Sequence, residues 1–360
     1  MTRIALIGLG AMGRNHLRVL SDLEGAELAA ICDQDSNLLA AAQRKYSVPA
    51  YQSWDEMLDH ARLDAAVIAV PTRFHCQAGL AALEHGLHVL IEKPIATNLD
   101  EGRQLLAAAQ RAKRLLSVGH IERFNPAIRE LARRLEAGEI GRIYQLQARR
   151  QGPFPARIRD VGVVIDLATH DLDVMHYLAA SDVQRLYAET EQRIHTEHED
   201  ILNALLRFQS GVLGVLQVNW LTPTKIRELS VLGERGMFVC NYLAQDLMHF
   251  KNAEFPAEAD SEFRVRAVTE GEAVKFPVAQ GEPLRLELQA FVEAVRGERP
   301  LEVDGEAGLR ALHLALALVK SATEARVIDK AELSKLWLSG AVRAGRGSAG
   351  AAGAADRDDL

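Results

Sequence analysis

Ile4-Ala5-Leu6-Ile7-Gly8-Leu9-Gly10-Ala11-Met12-Gly13 decides the fold. An apolar run ends in glycines spaced G-x-G-x-x-G, and an amphipathic stretch, Asn15 to Leu20, follows. In such a turn Gly8 permits the sharp bend, Gly10 lets the backbone approach a pyrophosphate, and Gly13 lets helix and strand pack closely. The helix start at Ala11 and Met12 adds amide donors and a partial positive charge. The spacing alone is a weak signal. It gains force from Asp33, which closes the next apolar run, Glu27 to Cys32. A carboxylate there accepts hydrogen bonds from ribose hydroxyls and repels a 2′-phosphate, and neither Gln34 nor Asp35 brings a cation. The site therefore suits NAD rather than NADP. Asp35 or Ser36 can cap the following helix, which leaves Asp33 free for the ribose.

Outward from this turn, the apolar runs Leu28–Cys32, Ala65–Val70, Val89–Ile91 and Leu115–Val118 alternate with helical stretches at Leu38–Lys45, Gln77–His85 and Asp100–Ala112. Apolar strands alternating with helices predict βαβ units on a parallel sheet covered on both faces, a Rossmann domain over residues 1–122. After Asn125-Pro126 the pattern changes. A helix (Ala127–Ala137), a strand (Ile143–Arg150) and a helix (Ile165–Leu178) precede a strand-rich stretch from Val183 to Phe276, and helices at Leu284–Val295 and Gly305–Glu324 follow. This predicts an α+β domain over residues 123–338 with a mostly antiparallel sheet open on one face, giving an α/β protein overall. Residues 339–360 are rich in Gly, Ala and Arg and predict a disordered tail.

Composition narrows the function. The chain has 360 residues and a net charge of -7, which argues against a nucleic-acid partner. No apolar run approaches the roughly 20 residues of a membrane span. The N-terminal run is too short for a signal-peptide core. Cys32, Cys76 and Cys240 form no disulfide or metal pattern, so a cytoplasmic location is expected. His195-Thr196-Glu197-His198-Glu199-Asp200 alternates possible ligands, but no second ligand cluster accompanies it, so it reads as a loop and no metal is expected.

Three further motifs carry a resemblance: Ala69-Val70-Pro71-Thr72-Arg73-Phe74-His75, Glu92-Lys93-Pro94, and Gly162-Val163-Val164-Ile165-Asp166-Leu167-Ala168-Thr169-His170-Asp171-Leu172-Asp173. With the glycine turn, they resemble the glucose-fructose oxidoreductase / inositol dehydrogenase (Gfo/Idh/MocA) family over residues 1 to about 330. Val118 to Pro126, Pro155 to Gly162 and Asn219 to Pro223 are similar to the branch that oxidises UDP-N-acetylglucosamine at C3. The resemblance implies cofactor contacts at Gly8, Gly10, Ala11, Met12, Gly13, Asp33, Pro71, Thr72, His75 and Glu92. It implies that Lys93 touches the reacting hydroxyl, that Lys93-Pro94 is cis, and that Asp166 and His170 are the catalytic Asp-x-x-x-His. It also implies a homodimer or homotetramer, and a partner aminotransferase acting on the keto product. One departure is Val163, where many members carry a second glycine.

The residues themselves support that chemistry. Oxidising a secondary alcohol needs a base and a hydride acceptor. Lys93 follows a strand at the carboxyl edge where ligands of open α/β sheets bind, and the charge of NAD+ would depress its pKa. Asp166 and His170 are four apart and share a helix face, so the carboxylate is expected to orient the ring and make its other nitrogen the better base. Either Lys93 or His170 can take the first proton. Arg149, Arg150, Arg157 and Arg159 form a basic cluster suited to a diphosphate, with Arg157 and Arg159 nearest the catalytic helix; ion pairing or a solvated strand face fits them equally. Lys225 is a further substrate candidate, whereas Trp220 fits core packing better. The expected reaction is NAD-dependent oxidation of a nucleotide sugar. Alternatives are an inositol or free-sugar dehydrogenase and a non-catalytic NAD-binding regulator, the latter disfavoured by the intact Lys, Asp and His set.

Overall fold

The computed structural model describes residues 1–155, 161–195, 197–253 and 270–338. Strands β1 (Thr2–Ile7), β2 (Ala26–Cys32), β3 (Ala50–Tyr51), β4 (Ala65–Ile68), β5 (His88–Ile91) and β6 (Leu116–Val118) form a sheet in the order β3-β2-β1-β4-β5-β6. Every neighbouring pair is parallel. The order reverses between β1 and β4, which opens a crevice at the carboxyl ends of those strands. Residues 4–6 and 65–68 are fully buried, as unbroken apolar runs covered on both faces require. Helices α1 (Ala11–Leu20), α2 (Ser36–Tyr46), α3 (Trp54–His60), α4 (His75–Glu84) and α5 (Leu99–Ala112) make the crossovers. Asp35 caps α2 by accepting from the amides of Asn37 and Leu38.

The second unit begins with α6 (Pro126–Glu136) and β7 (Ile143–Gln151). A π-helical turn, Val164–Ala168, then runs into α7 (Thr169–Ala179). Strands β8 (Val183–Glu191), β9 (Ile201–Phe208), β10 (Leu213–Asn219), β11 (Ile226–Gly233), β12 (Gly236–Asn241), β13 (Asp246–Lys251) and β14 (Ala273–Phe276) follow. With β15 (Ile328–Asp329) they give a nine-stranded sheet ordered β14-β13-β12-β11-β7-β10-β9-β8-β15. Only β7 and β10 run parallel among these neighbours. Burial alternates along β10: Gly214, Leu216 and Val218 are buried, and the last two share a core with Met175 of α7, while Leu213, Val215 and Gln217 look outward. That is the one-sided burial expected of an open sheet.

Helices α8 (Pro283–Val295), α9 (Gly305–Thr323) and α10 (Lys330–Leu338) complete the described chain. The sequence placed this region with the second unit, yet α8 packs on the first. Leu284, Leu288 and Phe291 share a core with Ile4, Leu6 and Leu17. Helix α9 serves both units, since Leu312 packs with Leu105 and Leu116 while Leu314 and Leu318 join the second core. The last helix, α10, has no marker in the sequence reading. The expected disordered tail from residue 339 lies outside the described residues. All three cysteines are buried, and burial, reinforced by Asp33, pushes the Cys32 thiol up to about 12. No helix among the described residues is long and apolar enough to cross a membrane.

Candidate active site

The glycine turn is shaped as its spacing demands. Gly8 has φ +98°, and a Cβ there would sit 2.6 Å from the Ala69 carbonyl oxygen. At Gly13 a Cβ would lie 2.0 Å from the Gly8 carbonyl oxygen, so helix and turn touch backbone to backbone. Gly10 is different: nothing lies within 4 Å of its side-chain direction, which leaves a cradle open to the crevice. Helix α1 starts there without a side-chain cap or an acidic first turn, so its leading amides can serve an anion. Asp33 braces the turn, its Oδ2 accepting from the Leu9 amide at 2.6 Å and its Oδ1 from the Asp35 amide at 2.9 Å. Each carboxylate oxygen keeps a further lone pair for a ribose hydroxyl. An open glycine cradle, uncapped amides and an acidic residue fit NAD. Ala11 and Met12 are exposed at this helix start; Pro71 and Thr72 sit on the rim beyond β4.

Lys93 follows β5, and its peptide bond to Pro94 is cis. Its Nζ donates to the Asp166 carbonyl oxygen at 2.7 Å and to Asp166 Oδ1 at 2.9 Å. This corrects the expectation that Asp166 orients His170. Asp166 lies in the π-helical turn and His170 in the first turn of α7, and the Asp166 carboxylate is taken up by Lys93 instead. His170 instead keeps Nδ1 buried without a hydrogen bond. Burial holds its pKa well below the ordinary histidine range, and the charges of Lys93 and Arg150 push the same way. Lys93, Asp166 and His170 are nevertheless brought together at the crevice, a cation–carboxylate pair beside a neutral ring.

Two residues expected to touch the cofactor face inward instead. His75 is 1% exposed, with Nδ1 2.8 Å from the Pro94 carbonyl and Nε2 2.9 Å from the Val70 carbonyl, so it ties together the loops after β4 and β5. Glu92 is also buried, with Oε1 2.7 Å from His16 Nε2. Burial alone would raise this carboxyl, but the hydrogen bond and charge of His16, with Lys93 and His75, bring the net direction down. His75 thus supports the floor of the crevice with both ring nitrogens engaged, and Glu92 commits Oε1 to His16. Arg150 leaves the basic cluster too: it is buried, and it donates to Asp171 and Glu122 at 2.7 Å each. A guanidinium so engaged holds α7 to β7. Arg149 lies 3.6 Å from Glu228. Arg157 and Arg159 fall outside the described residues. Lys225 is exposed, and Trp220 is buried against His195 and Phe154. His195 Nδ1 accepts from the amides of Glu197 and His198, and Asp200 accepts from those of Arg193, Ile194 and His195, which makes the segment a tightly bonded loop.

Several residues near the site were not foreseen. His120 is buried with neither ring nitrogen hydrogen-bonded, and burial lowers its pKa. Glu287 of α8 is buried with both oxygens unpartnered; burial, then the charge of Glu92, raises its pKa well above the usual range. Arg227 of β11 reaches the same end of the second sheet. Glu287 and Arg227 come from elements far away in sequence, whereas His120 lies within the Val118 to Pro126 segment.

Family models match in both units. One described as "Oxidoreductase family, NAD-binding Rossmann fold" covers residues 2–120, and one described as "GFO/IDH/MocA C-terminal domain" covers residues 128–239. The chain belongs to the Gfo/Idh/MocA oxidoreductase family. Its cofactor is NAD, and it is a dehydrogenase of the sugar-alcohol class. Among this family's members, UDP-N-acetylglucosamine 3-dehydrogenase of Acidithiobacillus ferrooxidans is 28% identical over 90% of this chain and 97% of that protein. Its crystal structure superposes with a TM-score of 0.79 at 26% identity, over 92% of this chain and 98% of that one. Myo-inositol 2-dehydrogenase of Thermotoga maritima is 25% identical over 92% of this chain and 99% of that protein. A Bordetella pertussis dehydrogenase solved with NADH and UDP-GlcNAcA has a TM-score of 0.78 at 26% identity, covering 91% of this chain and 97% of its own.

Proposed function

We propose that this member of the family oxidises the secondary alcohol of a nucleotide sugar, converting UDP-N-acetylglucosamine to its 3-keto form. The observation that carries the chemistry is the Lys93–Asp166 pair set beside a neutral His170 at the mouth of the glycine cradle. NAD+, when bound, supplies the hydride acceptor. Lys93, anchored by two hydrogen bonds to Asp166, presents its remaining proton to the substrate oxygen and fixes that oxygen in place. His170 arrives unprotonated because burial disfavours its charged form, so Nε2 accepts the hydroxyl proton. Asp166 stabilises Lys93 rather than the imidazole. Lys225, exposed just ahead of β11, is assigned as a substrate contact.

The nucleotide-sugar assignment is supported by likeness along the whole of a UDP-N-acetylglucosamine 3-dehydrogenase and by the fold shared with the Bordetella protein. Inositol oxidation is the second reading, favoured by equally complete coverage of the Thermotoga enzyme. Comparing kcat/KM for UDP-N-acetylglucosamine and for myo-inositol, with NADH as the readout, separates them. Turnover of myo-inositol alone overturns the first reading. A 3-keto product is a substrate for amine transfer, so an aminotransferase is the natural next enzyme. Such activated sugars are cytoplasmic metabolites, and the same location is proposed here. The open face of the second sheet, where Tyr187, Leu205 and Val215 stand side by side across three strands, supports pairing with another copy in a homodimer or homotetramer.

A further inference from the structure

The charged side chains around the catalytic end of the second sheet are nearly all paired. Lys93 has Asp166, Arg150 has Asp171 and Glu122, and Arg123 has Asp173. Arg227, on β11 beside β7, is the exception. Its Nη1 donates to the backbone carbonyls of Gln151 at 2.6 Å and Ile226 at 2.8 Å. No carboxylate among the described residues lies in ion-pair range of it, and Nε and Nη2 have no partner there. The side chain is only partly exposed. Removing part of a cation's hydration without a counter-ion is costly, and such a group persists where a ligand supplies the charge. Burial pushes the Arg227 pKa down and Arg150 adds to this, ahead of the opposing pull of Asp171, Glu122 and Asp166. Arg227 Nη1 bonds the carbonyl of Gln151, the last residue of β7, one residue beyond Arg150 and its partner Asp171 of α7.

Two cations meet just past the end of β7. Residue 152 is glycine; a Cβ there would meet Lys225 Cγ at 3.7 Å and the Arg227 guanidinium nitrogens at 3.9 Å. Both cations therefore cross bare backbone at the strand end. Lys225 immediately precedes β11 and Arg227 is its second residue, and both side chains pass Gly152, so the two can serve one ligand.

We propose that Arg227, with Lys225 beside it, anchors the diphosphate of the substrate and so determines specificity for a nucleotide sugar over a neutral one. The proposal rests on the nucleotide-sugar reading above and names the residues that would carry it. A planar guanidinium with Nε and Nη2 free presents the two-pronged donor edge that matches phosphate oxygens. Arg227 acts on binding and orientation, not on the proton or hydride.

The test is calorimetric titration of UDP, with uridine as the uncharged control, into protein already saturated with NAD+, so that the cofactor's own pyrophosphate is in place. Arg227→Gln is expected to weaken UDP binding by roughly ten- to a hundredfold and to leave uridine unchanged. Arg227→Lys, which keeps the charge but not the fork and serves if the Gln variant does not fold, is expected to fall between. In turnover, KM for UDP-N-acetylglucosamine should rise by a larger factor than kcat falls. Equal UDP affinity in the parent and both variants overturns the proposal, as does a parent protein that binds no UDP. If UDP binding depends on Arg227 while UDP-N-acetylglucosamine is not oxidised, the substrate reading fails and the anion site stands. If oxidation proceeds and Arg227→Gln leaves KM unchanged, the reverse holds.

Discussion

His170 and Lys93 divide the proton work because their surroundings differ. His170 has its Nδ1 side buried and no acid to hold a proton on the ring, whereas Lys93 faces a carboxylate. The base must be neutral to act, and its pKa lies well below the ordinary value of about 6.5. Activity should therefore persist as pH falls through the range where an unperturbed histidine would protonate. The acid limb of kcat/KM appears only below it, and an acid limb centred near the ordinary histidine value would contradict this assignment. Replacing Lys93 by Met removes the donor that fixes the reacting oxygen. The expected loss in kcat is on the order of 10²- to 10⁴-fold, with NAD affinity close to the parent's by fluorescence titration. His170 was legible in the sequence as a catalytic candidate. The pairing of Asp166 with Lys93 was not, because the two stand 73 residues apart and no local spacing marks it.

At the scale of elements, the glycine turn was the most legible part of the chain, since Gly8 and Gly13 answer steric demands within the fold and Gly10 leaves the cradle open. Gly13→Ala would drive a methyl against the Gly8 carbonyl oxygen, 2.0 Å from where its Cβ would stand. A destabilisation of about 1–3 kcal/mol is expected from that overpacking, along with loss of NAD retention; an unchanged melting temperature would contradict it. Helix α8 was found in the sequence, but its place was not. Leu284, Leu288 and Phe291 show an apolar face without saying which sheet it covers. Glu287 sits on this buried face, and its raised pKa has a definite consequence. The folded chain holds a proton that the unfolded chain releases above the normal glutamate range. The contribution to stability is complete below that range and is lost as pH rises toward the folded value. Glu287→Gln should accordingly gain more in melting temperature over the parent at about pH 8 than at about pH 5. A gain that is larger at the acid end would show that Glu287 is ionised in the fold.

At the scale of the molecule, the two-unit plan follows from the change in pattern after Asn125, and both sheets have the strand directions that plan predicts. What the sequence could not show is how the units join. Helix α9 sends Leu312 into one core and Leu314 and Leu318 into the other, a division that the leucine spacing does not mark. The open face makes its own prediction. Leu205 is 50% exposed between Tyr187 and Val215, so Leu205→Arg should shift the sedimentation coefficient of an assembled protein toward that of a monomer. A parent that already sediments as a monomer would show that this face has no partner copy.

The central claim, hydride removal from C3 of UDP-N-acetylglucosamine, is tested most directly with substrate carrying deuterium at that carbon. Mixed with NAD+ and the enzyme, it should give deuterated NADH and a 3-keto product, with no transfer in the Lys93→Met variant on the same timescale. NADH formed without deuterium, or none formed while myo-inositol is oxidised, would contradict the account.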